Sequence, residues 1–200
     1  DRAVSLMRAA LGAQHPEALV STILLSVAHR ELEEFGKAIE IGDRALNAFE
    51  RNSQGQYFAA AAQELGVTYR RNSDHEVALK LLERARVAYT ALLGIDDSNV
   101  GLVESQIADV YEDQGKYAQS LEMQKRAYEK ISKSVGQQHY MLVGPLSGMA
   151  RCQLKLGLIR DAVNNFQTAI EIRQAKPGRP QELVMLKSGL DEAITSQARQ

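Results

Sequence analysis

The sequence predicts an all-α fold of stacked helix pairs, and three observations lead to this prediction. An alanine returns at steps of 42, 40, 42 and 42 residues in five similar stretches, at Ala3, Ala45, Ala85, Ala127 and Ala169. A glycine follows nine residues after most of these alanines, at Gly12, Gly94, Gly136 and Gly178, and only Gln54, beside Gly55, breaks the series. Helix-favouring residues dominate, with only four prolines to interrupt them. A constant period in this range is typical of a solenoid of helix pairs.

The repeats divide the chain in order. Residues 1–12 form a half repeat, since RAVSLMRAA has the pattern of a second helix whose first helix is missing, and we therefore expect a fragment of a longer protein. Four full repeats of helix, tight turn and helix follow at about residues 17–54, 57–96, 99–138 and 141–178, and together they predict one domain over residues 1–200. A capping helix at residues 181–198 ends the array. We expect its buried stripe to be Leu183, Leu186, Leu190 and Ile194.

The helices themselves are predicted by apolar residues at intervals of three and four, as in ALVSTILLSVAHREL and GLVESQIADVYED. Pro16, Pro145 and Pro180 fall where first helices begin, a position that tolerates a missing amide donor. The single 40-residue step places two missing residues near NSQGQ. We expect a shorter loop between repeats at that point.

Composition and charge exclude several functions. A net charge of -1 gives no basic footprint for nucleic acid. No stretch approaches the roughly 18 apolar residues of a membrane span, and the first residues lack the layout of a signal peptide. Cys152 is the only cysteine, so an intramolecular disulfide is excluded and a reducing compartment is compatible with the chain. We expect a cytoplasmic protein that binds neither nucleic acid nor membrane.

Histidine and cysteine, which often form metal or catalytic sites, are dispersed along this sequence. Four histidines fall in different repeats without a partner at metal-ligand spacing, at His15, His29, His75 and His139. His15 and His139 occupy equivalent loops, and His29 matches a position that is tyrosine in other repeats, so loop and packing roles are expected. Cys152 lies between Ala150 and Leu154 in a first helix and is expected to be a packed thiol. We expect no enzyme activity, no metal and no cofactor.

Aligned on the period, the repeats share a pattern of small and large residues that resembles the tetratricopeptide repeat. The clearest copies are Leu65, Gly66, Tyr69, Ala78, Leu82 and Ala85; Ile107, Ala108, Tyr111, Ser120 and Ala127; and Met149, Ala150, Ala162, Phe166 and Ala169. The 42-residue period, GKY before a second helix and LGAQHP after one are similar to the kinesin light chain type. This resemblance implies a right-handed superhelical solenoid whose first helices line a concave groove for a peptide or partner protein.

The resemblance departs from the family at the paired asparagines that hold a ligand's backbone. Their positions are Ile23 and Leu24, Gln63 and Glu64, Ser105 and Gln106, and Ser147 and Gly148. We expect the groove to be lined by first-helix side chains that the core does not use. The candidates are Arg30, Gln63, Glu64, Arg70, Arg71, Gln106, Asp109, Glu112, Asp113, Ser147, Arg151 and Lys155.

The charges of these candidates alternate between basic, acidic and basic along the repeats. This order predicts a bipolar extended ligand, with an acidic part against Arg70 and Arg71. The alternative is that the charges only keep the surface solvated and pair with neighbouring repeats. In repeat four, Gly144, Ser147 and Gly148 predict either a small pocket facing repeat three or close packing against bare backbone.

Two functions follow from this sequence. The first is a non-catalytic scaffold module that binds a peptide or protein in its groove. The alternative is a regulatory or sensor array within a larger signalling protein, such as a kinase, an ATPase or a transcription regulator. The half repeat has no cap of its own, so self-association through it is also expected.

Overall fold

The computed structural model describes residues 2–52, 55–176 and 180–198, apart from the side chains of Ala3 and Gln56. Over these ranges the chain is all-α, without strands, and the predicted repeat fold is confirmed. A 3-10 turn at Tyr140–Leu142 precedes the eighth of ten helices. The helices are α1 (Arg2–Leu11), α2 (Pro16–Glu31), α3 (Phe35–Arg51), α4 (Gly55–Arg71), α5 (His75–Leu93), α6 (Ser98–Asp113), α7 (Tyr117–Val135), α8 (Val143–Lys155), α9 (Ile159–Ala175) and α10 (Pro180–Gln197).

The chain divides into two compact units, Asp1–Ile95 and Asp96–Gln200. The first unit holds α1 to α5 and the second holds α6 to α10. The predicted shorter loop falls at residues 52–54, of which 53 and 54 lie outside the described residues, as does Gly178 of the glycine series. None of the helices within the described ranges is both long enough and apolar enough to span a lipid bilayer.

Three of the connections between repeats have a glycine and a cap in common. Gly12, Gly94 and Gly136 follow the ends of α1, α5 and α7 with φ of 91°, 92° and 87°, a conformation that side chains with a Cβ rarely adopt. Three residues later, the side chain of an N-cap residue accepts a hydrogen bond from a backbone N–H of the next helix. These caps are His15, Asp97 and His139, with distances of 3.3, 2.8 and 3.4 Å. The predicted loop histidines therefore start helices.

The turns inside each helix pair share a second motif. One residue has a positive φ, of 60°, 65°, 75° and 76° in successive repeats, and the N–H of the next residue donates to the carbonyl five residues earlier at 2.8 to 2.9 Å. This is the Schellman geometry that closes a helix C-terminus. The positive-φ residues are Glu33, Ser73, Gly115 and Gly157.

The core of the first unit depends on close helix approach. Gly66 of α4 lies against Leu82 of α5, where an added Cβ would be 2.8 Å from Leu82 Cγ. Gly42 of α3 lies against Leu65 of α4 in the same way, at 2.7 Å from Leu65 Cδ1. Gly66, a small residue of the repeat pattern, thus leaves room for a neighbouring helix.

The core of the second unit runs from Leu121 and Ile131 through Phe166 to the last helix. Gly189 of α10 packs on the Phe166 ring, where an added Cβ would be 2.5 Å from Cζ. Leu186 is buried, and Leu183 and Leu190 pack against the core as predicted. The prediction for Ile194 is wrong. Its side chain is 47% exposed, and Ala193 takes the buried position of that turn instead.

Candidate partner-binding surface

The candidate residues lie on first helices that pack side by side within each unit, α2 with α4 and α6 with α8. They form two groups. The repeat one–two surface consists of Arg30, Gln63, Glu64, Arg70 and Arg71. The repeat three–four surface consists of Gln106, Asp109, Glu112, Asp113, Ser147, Arg151 and Lys155.

On the repeat one–two surface, Arg30 joins the two first helices. It is only 5% exposed. Its Nη1 donates to the carbonyl of Glu64 at 3.1 Å and to Glu64 Oε2 at 2.9 Å, and its Nε donates to Glu31 Oε1 at 3.2 Å. Gln63 is also buried. Arg30 therefore fixes the position of Glu64, and the exposed part of this surface comes from other residues.

Arg71 contacts a carboxylate and an aromatic ring on this surface. Its Nη1 lies 3.1 Å from Glu31 Oε1, and its guanidinium lies 5.8 Å from the centre of the Phe35 ring. Arg70 beside it is half-buried. Since Arg30 also binds Glu31, one exposed carboxylate bridges two arginines from adjacent repeats.

On the repeat three–four surface, Arg151 of α8 binds two carboxylates of α6. Its Nε and Nη2 donate to Glu112 Oε1 and Oε2 at 2.7 and 2.8 Å, which is the bidentate geometry, and Nη2 also donates to Asp109 Oδ1 at 3.1 Å. Burial disfavours the charged guanidinium, but the hydrogen bonds to Glu112 and the charge of Asp109 outweigh it and raise the pKa of Arg151. The Arg151 side chain is still 41% exposed.

Gln124 of α7 is fully buried and holds Ser105 and Asp109 of α6 in place. Its Nε2 donates to the carbonyl of Ser105 and to Asp109 Oδ1, both at 3.1 Å, and its Oε1 accepts from Ser105 Oγ at 2.6 Å. A Cβ at Gly148 would lie 2.3 Å from Gln124 Nε2. The space beside Gly148 is thus filled by Gln124, so the structure shows close packing where the sequence also allowed a pocket.

Sequence reasoning missed Gln124, although a signal was present. The equivalent positions of the other repeats are Gly42, Leu82 and Phe166, so a glutamine in this series indicates a buried polar contact. The amide is satisfied by three hydrogen bonds, as a buried polar group requires.

The remaining candidates of this surface are less tightly held. Ser147 Oγ donates to the carbonyl of Gly144 at 2.9 Å, and Arg151 Nη1 reaches Ser147 Oγ at 3.4 Å. Lys155 Nζ lies 4.0 Å from Glu192 Oε1 of α10, and Asp113 is exposed. Gln106 Oε1 is buried and has no hydrogen-bond partner within the described residues. An acceptor in this state favours a donor from a ligand or from water.

Three other groups behave as packed side chains. His29 Nδ1 lies 2.6 Å from Glu34 Oε2 in the turn of repeat one. Tyr69 donates to Asp43 Oδ2 at 3.0 Å, and burial together with this bond raises the pKa of Tyr69 to about 12. Burial also raises the pKa of the Cys152 thiol, which lies 3.3 Å from Ser120 Oγ. Across the described residues, no three His, Cys, Asp or Glu side chains gather as a metal site.

Helix pairs in series, with glycines at the helix contacts and charged first-helix surfaces, define a helical repeat protein. The chain belongs to the tetratricopeptide repeat family, since the family model described as tetratricopeptide repeat matches residues 57–131 and 99–175. The predicted resemblance to the tetratricopeptide repeat is confirmed, and the likeness to kinesin light chain repeats is one of fold. Tetratricopeptide repeats are protein–protein interaction modules, and their fold is typically non-catalytic.

Two solved structures show the same fold. BtubC from P. vanneervenii superposes with a TM-score of 0.77 at 18% identity, over 98% of this chain and 81% of that one. The nearly identical TPR-like repeats of a kinesin light chain from Podosopora anserina superpose with a TM-score of 0.70 at 18% identity, over 93% of this chain and 90% of that one.

Two curated relatives are similar in sequence over nearly the whole chain. They are clustered mitochondria protein homologs from Culex quinquefasciatus and Aedes aegypti, each 27% identical over 200 residues. The match covers 99% of this chain and 14% of each relative, so the chain spans a small part of the relatives' length.

Proposed function

We propose that this chain is a non-catalytic module that binds extended segments of partner proteins on its two first-helix surfaces. The observation that carries the proposal is the set of ion pairs between adjacent first helices, Arg30 with Glu64 and Arg151 with Glu112 and Asp109. These pairs hold charged groups in fixed positions before any partner arrives. A surface that is already ordered loses less conformational entropy on binding.

The two surfaces favour partner segments of opposite charge. On the repeat one–two surface, Arg30 is buried against Glu31 and Glu64, whereas Arg70 and Arg71 are half-buried and favour an acidic segment. The repeat three–four surface has three carboxylates (Asp109, Glu112 and Asp113) and two cations (Arg151 and Lys155), which favours a basic segment. At one of the positions of the family asparagines, Gln106 has a buried amide oxygen without a hydrogen-bond partner in the described residues, and a partner's backbone N–H would reach it only if the side chain turned outward.

The experiment measures binding of a fluorescent twelve-residue acidic peptide to the 200-residue chain and to the double variant Arg70→Glu, Arg71→Glu. The proposal predicts at least a tenfold loss of affinity in the variant. Lys80→Glu is the matched control, since Lys80 is an exposed cation on the second helix α5 and its reversal should leave the affinity unchanged. Circular dichroism checks that both variants keep their helices. Equal affinity in the double variant would remove the repeat one–two surface from the proposal.

The same module serves a second proposal, a regulatory or sensor array in a signalling protein. Both functions use the same surfaces, so the peptide experiment tests the binding step that they share. A cytoplasmic location stays a prediction.

Self-association through the half repeat is also kept as a proposal. Leu6 of α1 is 62% exposed, and Leu11 is exposed as well, so this helix has apolar side chains that a second copy could cover. Sedimentation of the chain and of Leu6→Glu tests this idea. A monomer at all concentrations would count against it.

A further inference from the structure

An apolar groove lies on the second-helix side of the first unit, where neither of the two surfaces described above reaches. The end of α3, the start of α4 and the C-terminal half of α5 enclose it, with a volume of about 520 Å³. Six of its lining residues are apolar or glycine: Phe49, Gly55, Phe58, Val87, Ala88 and Ala91. The volume is within the range of sites that bind ligands or side chains in proteins, roughly 300–1,000 Å³.

Comparison along the period shows that the groove is a local departure from the other repeats. The positions equivalent to Phe58 are Ala18, Val100 and Leu142, all of them fully buried, whereas Phe58 is half-buried and faces the groove. Val87, which is 56% exposed, has Asn47, Glu129 and Glu171 at its equivalent positions. Ala91 corresponds to Arg51, Lys133 and Ala175. Repeat two therefore exposes Val87 where the other three repeats have polar or charged residues, and Ala91 where two of the three have charged ones.

The charges around the groove present carboxylates to solvent. Of the three charged lining residues, two are glutamates and one is Arg84, which lies over the Phe58 ring at 4.9 Å and binds Glu50 at 2.6 Å. Arg86 binds Glu83 in the same manner, through its Nε at 2.9 Å. In both pairs the carboxylate is the more exposed partner, at 54% against 45% and at 53% against 30%. An adjacent cation of a bound partner would complement this rim.

We propose that this groove binds an amphipathic helix of a partner protein, one that presents two apolar side chains a helical turn apart with a lysine or arginine beside them. The lining residues of α5 run from Glu83 to Ala91, a length of about 12 Å at 1.5 Å per residue. Two apolar residues one turn apart occupy about half that length. This is the helix-in-groove mode, in which affinity comes from apolar anchors and direction from charges at the rim.

The experiment uses a fourteen-residue helical peptide of alanine, leucine and lysine, with its leucines on one face. Binding to the full 200-residue chain is measured by fluorescence anisotropy, and amide chemical shifts locate the site. The test variant is Val87→Glu with Ala91→Lys, which copies Glu129 and Lys133 of repeat three and adds no net charge. We expect at least a tenfold loss of affinity. The matched control is Val184→Glu with Met185→Lys on α10, which also adds no net charge; the replaced side chains are 67% and 72% exposed, and the affinity should not change.

Several results would overturn the proposal. They are equal affinity in the double variant, shifts confined to other helices, or equal binding of a peptide with the same composition but dispersed leucines. Equal binding of a peptide with glutamate in place of lysine would overturn the claim that the partner helix needs a basic residue beside its apolar ones. Sedimentation tests whether the groove instead binds a second copy of this chain. A dimer that the double variant abolishes would show that it does. Both substitutions are at exposed positions, so circular dichroism should show unchanged helix content.

Discussion

The contact between Gly148 and Gln124 allows a quantitative test of the repeat three–four surface. Replacing Gly148 by alanine places a Cβ 2.3 Å from Gln124 Nε2 and 2.6 Å from its Cδ, so the amide must move. Movement of the amide breaks its bonds to Ser105 and Asp109. Truncating Gln124 to alanine removes the obstacle as well as those bonds.

The expected free energies follow from these contacts. Overpacking costs about 1–3 kcal/mol, and an alanine inside a helix gains about 1 kcal/mol over glycine, so Gly148→Ala should destabilise the chain by about 0–2 kcal/mol. Gln124→Ala loses three hydrogen bonds worth about 1 kcal/mol each and should cost about 3 kcal/mol. In the double variant the favourable effect of alanine in the helix remains, and the clash with the amide is absent. The double variant should therefore cost about 2 kcal/mol, below the sum of the two single changes.

The assay is urea unfolding of the four chains, followed by circular dichroism. A change of 1.5 kcal/mol shifts the midpoint by roughly 0.6 M, given an m-value of about 2–3 kcal/mol per molar. Gly36→Ala is the control, because Gly36 is helical and exposed with no atom within 4 Å of the added Cβ, and it should stabilise the chain by about 0.5–1 kcal/mol. If the effects of Gly148→Ala and Gln124→Ala simply add, the two residues do not contact each other as described.

Three further predictions concern single residues. Ser73 has a φ of 65°, so Ser73→Gly should stabilise the chain by about 0.5–1 kcal/mol and Gly157→Ala should destabilise it by about 1 kcal/mol, as thermal unfolding will show. Burial and the bond to Asp43 raise the pKa of Tyr69 to about 12, so the protonated phenol stabilises the fold below pH 10 and this contribution is lost as pH rises from 10 to 12. Urea unfolding of the chain and of Tyr69→Phe between pH 9 and 12 measures the loss, which the variant should lack. Burial raises the pKa of the Cys152 thiol, so disulfide reagents at pH 8 should react at least tenfold more slowly with the folded chain than in urea.

The repeat fold could be predicted because its determinants are periodic. The alanine and glycine series mark positions where helices pack or end, as the buried Ala85 and the helix-ending Gly94 show. The capping helix shows the limit of such patterns. After Leu190, the positions three and four residues later both continue the buried stripe, and hydropathy favours Ile194, whereas packing selects the smaller Ala193.

The candidate surfaces could be located from the sequence, but their internal contacts could not. Charge and helix position placed Asp109, Glu112 and Arg151 on first helices. The hydrogen bonds of Arg151 with Glu112 and Asp109 join side chains 39 and 42 residues apart in the sequence. They also require a rotamer of Arg151 that no local sequence pattern determines. Arg30 is the clearest case. Its position on the helix suggested exposure, yet a long side chain can turn inward when a carbonyl and two carboxylates lie within reach.

The engagement of Arg151 by Glu112 and Asp109 changes how the chain would select a basic ligand. An incoming lysine or arginine meets acids that already have a counterion, so docking is an exchange of one cation for another. The affinity then reflects the difference between two similar attractions, and added salt weakens both of them. Selectivity then depends on how well the shape of the incoming ligand fits the surface. The affinity depends less on ionic strength than the number of charges suggests.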